Sequence, residues 1–283
     1  MAGHPDPSPS PTPAMSALAA PLRGNNPWAP AGANATPAAP VAPGAPIAFP
    51  SPGQAVARDF HVLSEEEIAR LTRLEEEFWK TADLERRRQI LEEVGDSLYG
   101  GETLAFLSRV LDLGDEDLSA QAVEMLSGNT AADILPVLEK ALRSKSEGVR
   151  ASAAVAVGQV RDDRVVPFLG KVFDDPAVNV RHSGLNVLDA QPVERKLKIL
   201  GRALEAAFAD VQTVAIGLLE AESTPQGLEV LFQGLDAPDP AVRREAQFSI
   251  DFLIDQEFRS SAEARGWWQQ NRTKFDKDLT RKE

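Results

Sequence analysis

From Leu118 onward a branched apolar residue stands at every thirty-first position: Leu118, Val149, Val180, Val211 and Val242. The step recurs without insertion in other registers, as Leu107/Leu138/Leu169/Leu200/Leu231, Leu104/Leu135/Val166/Leu197/Leu228 and Leu111/Leu142/Phe173/Leu204/Leu235. One more register holds small residues, Ala122, Ala153, Gly184, Ala215 and Ala246. Chance does not align five registers over five copies. A fixed short period marks a solenoid, in which each unit buries its apolar face only by stacking on its neighbours.

Each unit divides into two helical stretches. The first carries apolar residues at i, i+3 and i+7, as in Leu135, Leu138 and Leu142; the second runs Val149, Ala153, Ala156/Val157 and Val160, again one helix face. No alternating run of strand length occurs in the repeats, so the pattern predicts an all-α solenoid of stacked antiparallel helix pairs. Helices this short are marginal alone in water and take their stability from stacking. The turns agree. Asp115, Ser146 and Asp239 stand three residues before their ladder positions, where an N-cap side chain accepts orphan backbone N–H groups. Pro240 takes the first helical position, and Pro136 and Pro167 fall one period apart in first turns.

Asp239-Pro-Ala-Val-Arg243, Asp175-Pro-Ala-Val-Asn-Val-Arg181 and the run Val149 to Gly158 resemble the second helix of HEAT repeats. The compact unit is similar to the short HEAT-like subtype of phycobilisome lyases. The resemblance covers about 101–255, five repeats of 31 residues, and implies the fold but no single activity. The fourth unit departs from it, with Gln212 where Arg150, Arg181 and Arg243 stand. A carboxylate precedes the ladder residue by six in four units, at Asp112, Asp174, Glu205 and Asp236. An Arg–carboxylate ladder joining units is one reading of this row, and a phosphate-binding Arg row is the other.

Outside the repeats the pattern changes. Residues 1–57 are Pro/Ala-rich and nearly uncharged, the expected composition of a disordered arm, with Trp28 and the Ile47/Phe49 pair as its bulky spots. Residues 63–99 miss the register and read as an N-terminal helical cap. Ser64-Glu65-Glu66-Glu67 forms its capping box, Leu63 and Ile68 a staple, and Arg86-Arg87-Arg88 a solvated surface. Ile68, Leu71, Leu74 and Phe78 are expected on one helix face, Leu84, Leu91, Val94 and Leu98 on the next. Residues 256–283 read as a capping helix and tail, opened by a second capping box at Ser260 to Glu263. There one of Trp267 and Trp268 seals the core and the other is offered as an anchor for a partner or for the chain's own Pro-rich segment. Leu228 to Gly234 resembles the recognition sequence of a picornaviral main protease, but its leucines occupy ladder positions and a helix there should resist cleavage.

Charge and chemistry narrow the function. The net charge of −13 falls wholly on the helical part, since Asp6 and Arg23 cancel in the arm; it repels nucleic acid and anionic membranes and favours a protein partner with a basic or neutral surface. Cysteine is absent, which excludes thiolate nucleophiles, disulfides and Cys-ligated zinc. No His-Glu dipeptide occurs, so the iron-holding pairs of the HEAT-like deoxyhypusine hydroxylases are missing, and neither a phosphate loop nor a dinucleotide fingerprint is present. No cofactor is expected, and bilin-lyase-like or other ligand-handling activity stands as the alternative. No apolar run of membrane-spanning length exists, so a cytoplasmic location is expected, or a periplasmic or tethered one if an anchor lies elsewhere.

His182, Asn186 and Asp189 form a polar stripe at i, i+4 and i+7 of a second helix. It continues through Ala120/Glu124/Ser127, Ala151/Val155/Gly158, Thr213/Gly217/Glu220 and Arg244/Phe248/Asp251, flat and small in the second unit and acidic toward both ends. The resemblance places second helices on the concave face. The expected function is a non-enzymatic scaffold that holds a protein through Glu124, His182, Asn186, Asp189, Glu220, Phe248 and Asp251, with Trp268 as an end anchor.

Overall fold

The computed structural model describes residues 60–282; the N-terminal arm with Trp28, Ile47 and Phe49 lies outside the described residues. Among these residues α1 (Glu65–Lys80) and α2 (Leu84–Ser97) make the N-terminal hairpin. Five pairs follow: α3 (Thr103–Asp112) with α4 (Glu116–Leu126), α5 (Leu135–Ala141) with α6 (Glu147–Gln159), α7 (Val165–Phe173) with α8 (Val178–Asn186), α9 (Val193–Leu204) with α10 (Ala209–Glu222), and α11 (Pro225–Leu231) with α12 (Pro240–Ile254). Helix α13 (Ser261–Asn271) closes the file. The second helices pack in one row, α2, α4, α6, α8, α10, α12, so the chain is an all-α repeat solenoid.

The ladders are its core. Leu107, Leu138, Leu169, Leu200 and Leu231 are each 0 % exposed, and Leu118, Val149, Val180, Val211 and Val242 are at most 1 % exposed. Full burial of such a side chain is worth about 1.5–3 kcal/mol. In the small-residue register Ala122, Ala153, Ala215 and Ala246 are also fully buried, where helices approach closely. The punctuation holds as well: Asp115 accepts from the N–H of Leu118, Ser146 from Val149 and Asp239 from Ala241.

Polar joints repeat at nearly the same step as the ladders. Lys171 reaches Glu139, Asn179 reaches Glu147 and Arg195 reaches Asp163, each across 32 residues. The Arg row joins units, though not through the expected carboxylates. Arg150 forks onto Asp175 of the next unit at 2.7 and 3.0 Å, and Arg181 onto Asp210 at 2.9 and 3.1 Å. Each also caps the turn of its own unit, Arg150 through Ser144 and Lys145 carbonyls and Arg181 through those of Asp175 and Pro176. Gln212 does the same with Leu204 and Ala206, which explains its tolerance at an Arg position. The carboxylates six residues before the ladder find other donors: Asp112 takes Lys140, Asp174 the N–H of Ala207, and Asp236 that of Ser261, while Glu205 pairs with Arg202 in its own pair. With Arg150 and Arg181 committed and largely buried, the phosphate reading loses two of its three cations, and the third, Arg243, donates to the Ala237 and Pro238 carbonyls.

The ends differ from expectation in detail. The Ser64/Glu67 capping box is formed, and Leu71, Leu74 and Phe78 are buried. The staple does not close, because Leu63 turns into the core beside Gly100 while Ile68 stays 39 % exposed. Leu84 is likewise exposed, and Ile90 fills the core with Leu91, Val94 and Leu98. The Arg cluster lies at the surface and is also paired: Arg86 binds Glu77, Arg87 donates to the Phe78 carbonyl and covers its ring, and Arg88 binds Asp117. At the other end Ser260 caps α13, but the Glu263 carboxylate accepts from Arg259 instead of completing the box.

Candidate partner-binding face

Second helices expose the residues that stacking leaves unused. Glu124, His182, Asn186, Asp189, Phe248 and Asp251 are exposed, and Glu220 is half-buried. They do not form one continuous open stripe. In the second unit Ala151 is only 5 % exposed and packs with Ala154, Val172 and Val180, while Gly158 lies under Val187. That stretch is small because α8 sits on it, which corrects its reading as a flat binding floor. The face is therefore split, with Glu124 on one side and the α8 to α12 residues on the other.

On the larger side the polar residues are tied into the joints. His182 Nε2 lies 3.6 Å from the Asp210 carboxylate that Arg181 holds, and the Arg181 guanidinium stacks 3.9 Å from the Phe208 ring centroid. Asp189 pairs with Lys196 at 3.2 Å, and Lys196 also meets Glu222 at 2.6 Å, linking α8's end, α9 and α10. Burial pushes the Lys196 ammonium down, but the hydrogen bonds and charges of Glu222 and Asp189 outweigh it and hold the group above its ordinary value. Glu220 accepts from the Ser249 hydroxyl of α12. Asp189, at 85 % side-chain exposure, presents its carboxylate outward from this network.

Trp268 is placed differently from the expectation. It is 2 % exposed, donates its indole N–H to Glu229 at 2.9 Å and packs 5.4 Å from Phe275, so it seals the core and cannot serve as a surface anchor. Trp267 is the half-buried neighbour, against Phe258 and Phe275. The tail adds Leu279, buried at φ 59° in a turn that Asp276 organises by accepting from Asp278 and Thr280. Two features went unread in the sequence. Phe252 is 70 % exposed one turn beyond Phe248, itself 66 % exposed, and Lys196 bridges the two carboxylates. The i, i+4 spacing of the phenylalanines was the available signal.

A shallow groove of about 530 Å³ lies on the first-helix side, between α7, α9 and α11, lined by Asp163, Gly201 and Arg202 among others. Its charges are paired, Lys198 with Asp163 and Arg202 with Glu205, and the hydrogen bonds from Lys198 and Arg195 hold the Asp163 carboxyl below its ordinary value. Among the described residues no group of three or more His, Asp or Glu is placed to hold a metal ion, and no helix is long and apolar enough to cross a membrane.

Residues 103–189, the stretch from α3 to the end of α8, match the family model described as HEAT repeats. That part of the solenoid is thus similar to HEAT repeats. No curated protein matches the chain. Among solved structures, an engineered protein determined as a Northeast Structural Genomics Consortium target is 18 % identical, covering 65 % of this chain and 96 % of its own at a TM-score of 0.36. Human deoxyhypusine hydroxylase in complex with glycerol is 16 % identical, covering 66 % and 97 % at 0.37. A designed armadillo repeat protein in complex with the peptide (KR)4 is 15 % identical, covering 65 % and 99 % at 0.36.

Proposed function

We propose that the chain is a non-enzymatic adaptor that grips a protein partner along its second-helix face, the partner offering a basic or neutral surface. The observation that carries this reading is the set of exposed side chains from α8 to α12, Asn186, Asp189, Phe248 and Asp251, on helices whose opposite sides are committed to stacking. The charge of −13 supports the partner's sign. The mechanism is preorganisation, because stacked helices hold these groups in place and little ordering entropy is lost on binding. The compact 31-residue step also supports grouping the units with the short HEAT-like subtype that resembles phycobilisome lyases.

The test begins with capture of partners from native lysate by the full chain and a dissociation constant for the one recovered. Asp189→Lys with Glu220→Lys should weaken that complex at least tenfold, since two carboxylates become cations toward a basic surface. Unchanged affinity in the folded double variant rules out this face.

A further inference from the structure

We propose that Phe248 and Phe252, ringed by Glu245, Asp251 and Asp255, form an anchor subsite for a partner segment that carries a bulky apolar side chain flanked by Lys or Arg. The inference rests on the second-helix face being the binding surface and adds the chemistry of what it takes.

The two phenylalanines are the only exposed Phe, Trp or Tyr side chains among the described residues. Neither is needed to close the core. The inner side of α12 is filled by Val242, Ala246, Ser249, Ile250 and Ile254. The end of the file is sealed elsewhere, by Trp268, Phe275 and Leu279. Two adjacent rings left in water are unusual unless something covers them, since partner-binding energy concentrates on such aromatic groups.

The surroundings leave room beside the rings. One repeat earlier, on the packed neighbour α10, the same registers hold Gly217 and Ala221. Nothing lies within 4 Å of the point where a Cβ would stand at Gly217, so the floor beside the rings is open. Charge selects the occupant. On the ring-bearing side of α12 and its cap, Glu245, Asp251 and Asp255 are exposed, against the single cation Arg244. Lys or Arg in a partner would meet both the carboxylates and the ring faces, which attract cations.

Fluorescence polarisation on the full chain tests this with three labelled octapeptides: Lys/Arg around a central Trp-Leu, the same with Ala-Ala, and Trp-Leu flanked by Glu. The Trp-Leu basic peptide should bind at least tenfold more tightly than either other. Phe248→Ala with Phe252→Ala should abolish that preference and leave the unfolding midpoint in place, because both side chains are already in water. Asp251→Lys with Asp255→Lys should weaken the same peptide and flatten its salt dependence. Equal binding of the Trp-Leu and Ala-Ala peptides, binding unaffected by the double Phe change, or no binding at all would overturn the proposal. So would concentration-dependent self-association that the Phe changes remove, which would assign the patch to a second copy. With the captured protein partner, binding lost in the Asp189/Glu220 variant but kept in the Phe variant refutes the subsite alone; binding kept in both refutes the face.

Discussion

One methyl group at Gly158 tests the closeness of the α6–α8 joint. The Cβ of an alanine there would lie 2.2 and 2.8 Å from the γ carbons of Val187 and 2.3 Å from its Cβ. Carbon atoms pack best at about 3.5–4.0 Å. Rotating Val187 moves its methyls but not its Cβ, so side-chain adjustment gives no relief and the backbones must part by roughly 1.2 Å to restore contact distance. Overpacking of this kind costs about 1–3 kcal/mol. The Gln191 side-chain amide also donates to the Gly158 carbonyl, so the shift disturbs a buried hydrogen bond worth about 1 kcal/mol. Against this, Ala gains up to about 1 kcal/mol over Gly in a helix, and less at Gly158, one residue from the end of α6. The expected net is a loss of about 1–3 kcal/mol. Gly217→Ala supplies the control: it lies inside α10 with open space at the new Cβ and should gain about 0.8–1.0 kcal/mol. Urea unfolding of the full-length chain, followed by circular dichroism, measures both. A midpoint raised by Gly158→Ala, or lowered equally by the two changes, would refute the argument that α8 seats directly on α6.

Leu138→Ala empties a fully buried ladder position and should cost about 2–5 kcal/mol by the same urea measurement. Arg150→Ala strands Asp175, whose side chain is 10 % exposed, and uncaps two turn carbonyls; a loss of about 3–5 kcal/mol is expected, and a change under 1 would show the joint to be ornamental. Ser261, through its hydroxyl and N–H, holds the Asp236 carboxyl below its ordinary 3.8. A depressed carboxyl stabilises the fold above its unfolded value and loses that contribution as pH falls through the folded value. Melting temperatures of Asp236→Asn should therefore lie below those of the parent at pH 5–7, and the gap should close progressively below about pH 3.8. The Gln233–Gly234 bond sits in the helical turn Phe232–Asp236 with Gly234 buried, so the picornaviral main protease should leave the folded chain intact while cutting a free peptide spanning 226–236, as gel analysis would show.

The ladders were legible because stacking demands the same residue size at the same register in every unit. Leu138 and Val149 are buried for the same reason as Leu169 and Val180. The caps were legible because Asp115, Ser146 and Asp239 act within three residues of themselves. Partners chosen across units were not. Whether Arg150 meets Asp174 or Asp175 depends on the path of the turn between α7 and α8, which no periodicity states. The same gap misled the face: Ala151 and Gly158 fit an open stripe by spacing, yet their smallness is what admits the neighbouring helix. Which tryptophan turns inward was open in the sequence, since adjacent positions on a helix point about 100° apart and only the acceptor Glu229 decides between them. Phe252 escaped notice because its register holds alanine in the two preceding units, at Ala190 and Ala221.

Among the described side-chain hydrogen bonds none bridges more than 39 residues, and most that cross between units span about one period. Each module thus answers only to the one before and the one after it. Excision or duplication of a whole 31-residue module would renegotiate a single seam, so the row of second helices can be lengthened or trimmed while the two lids stay as they are.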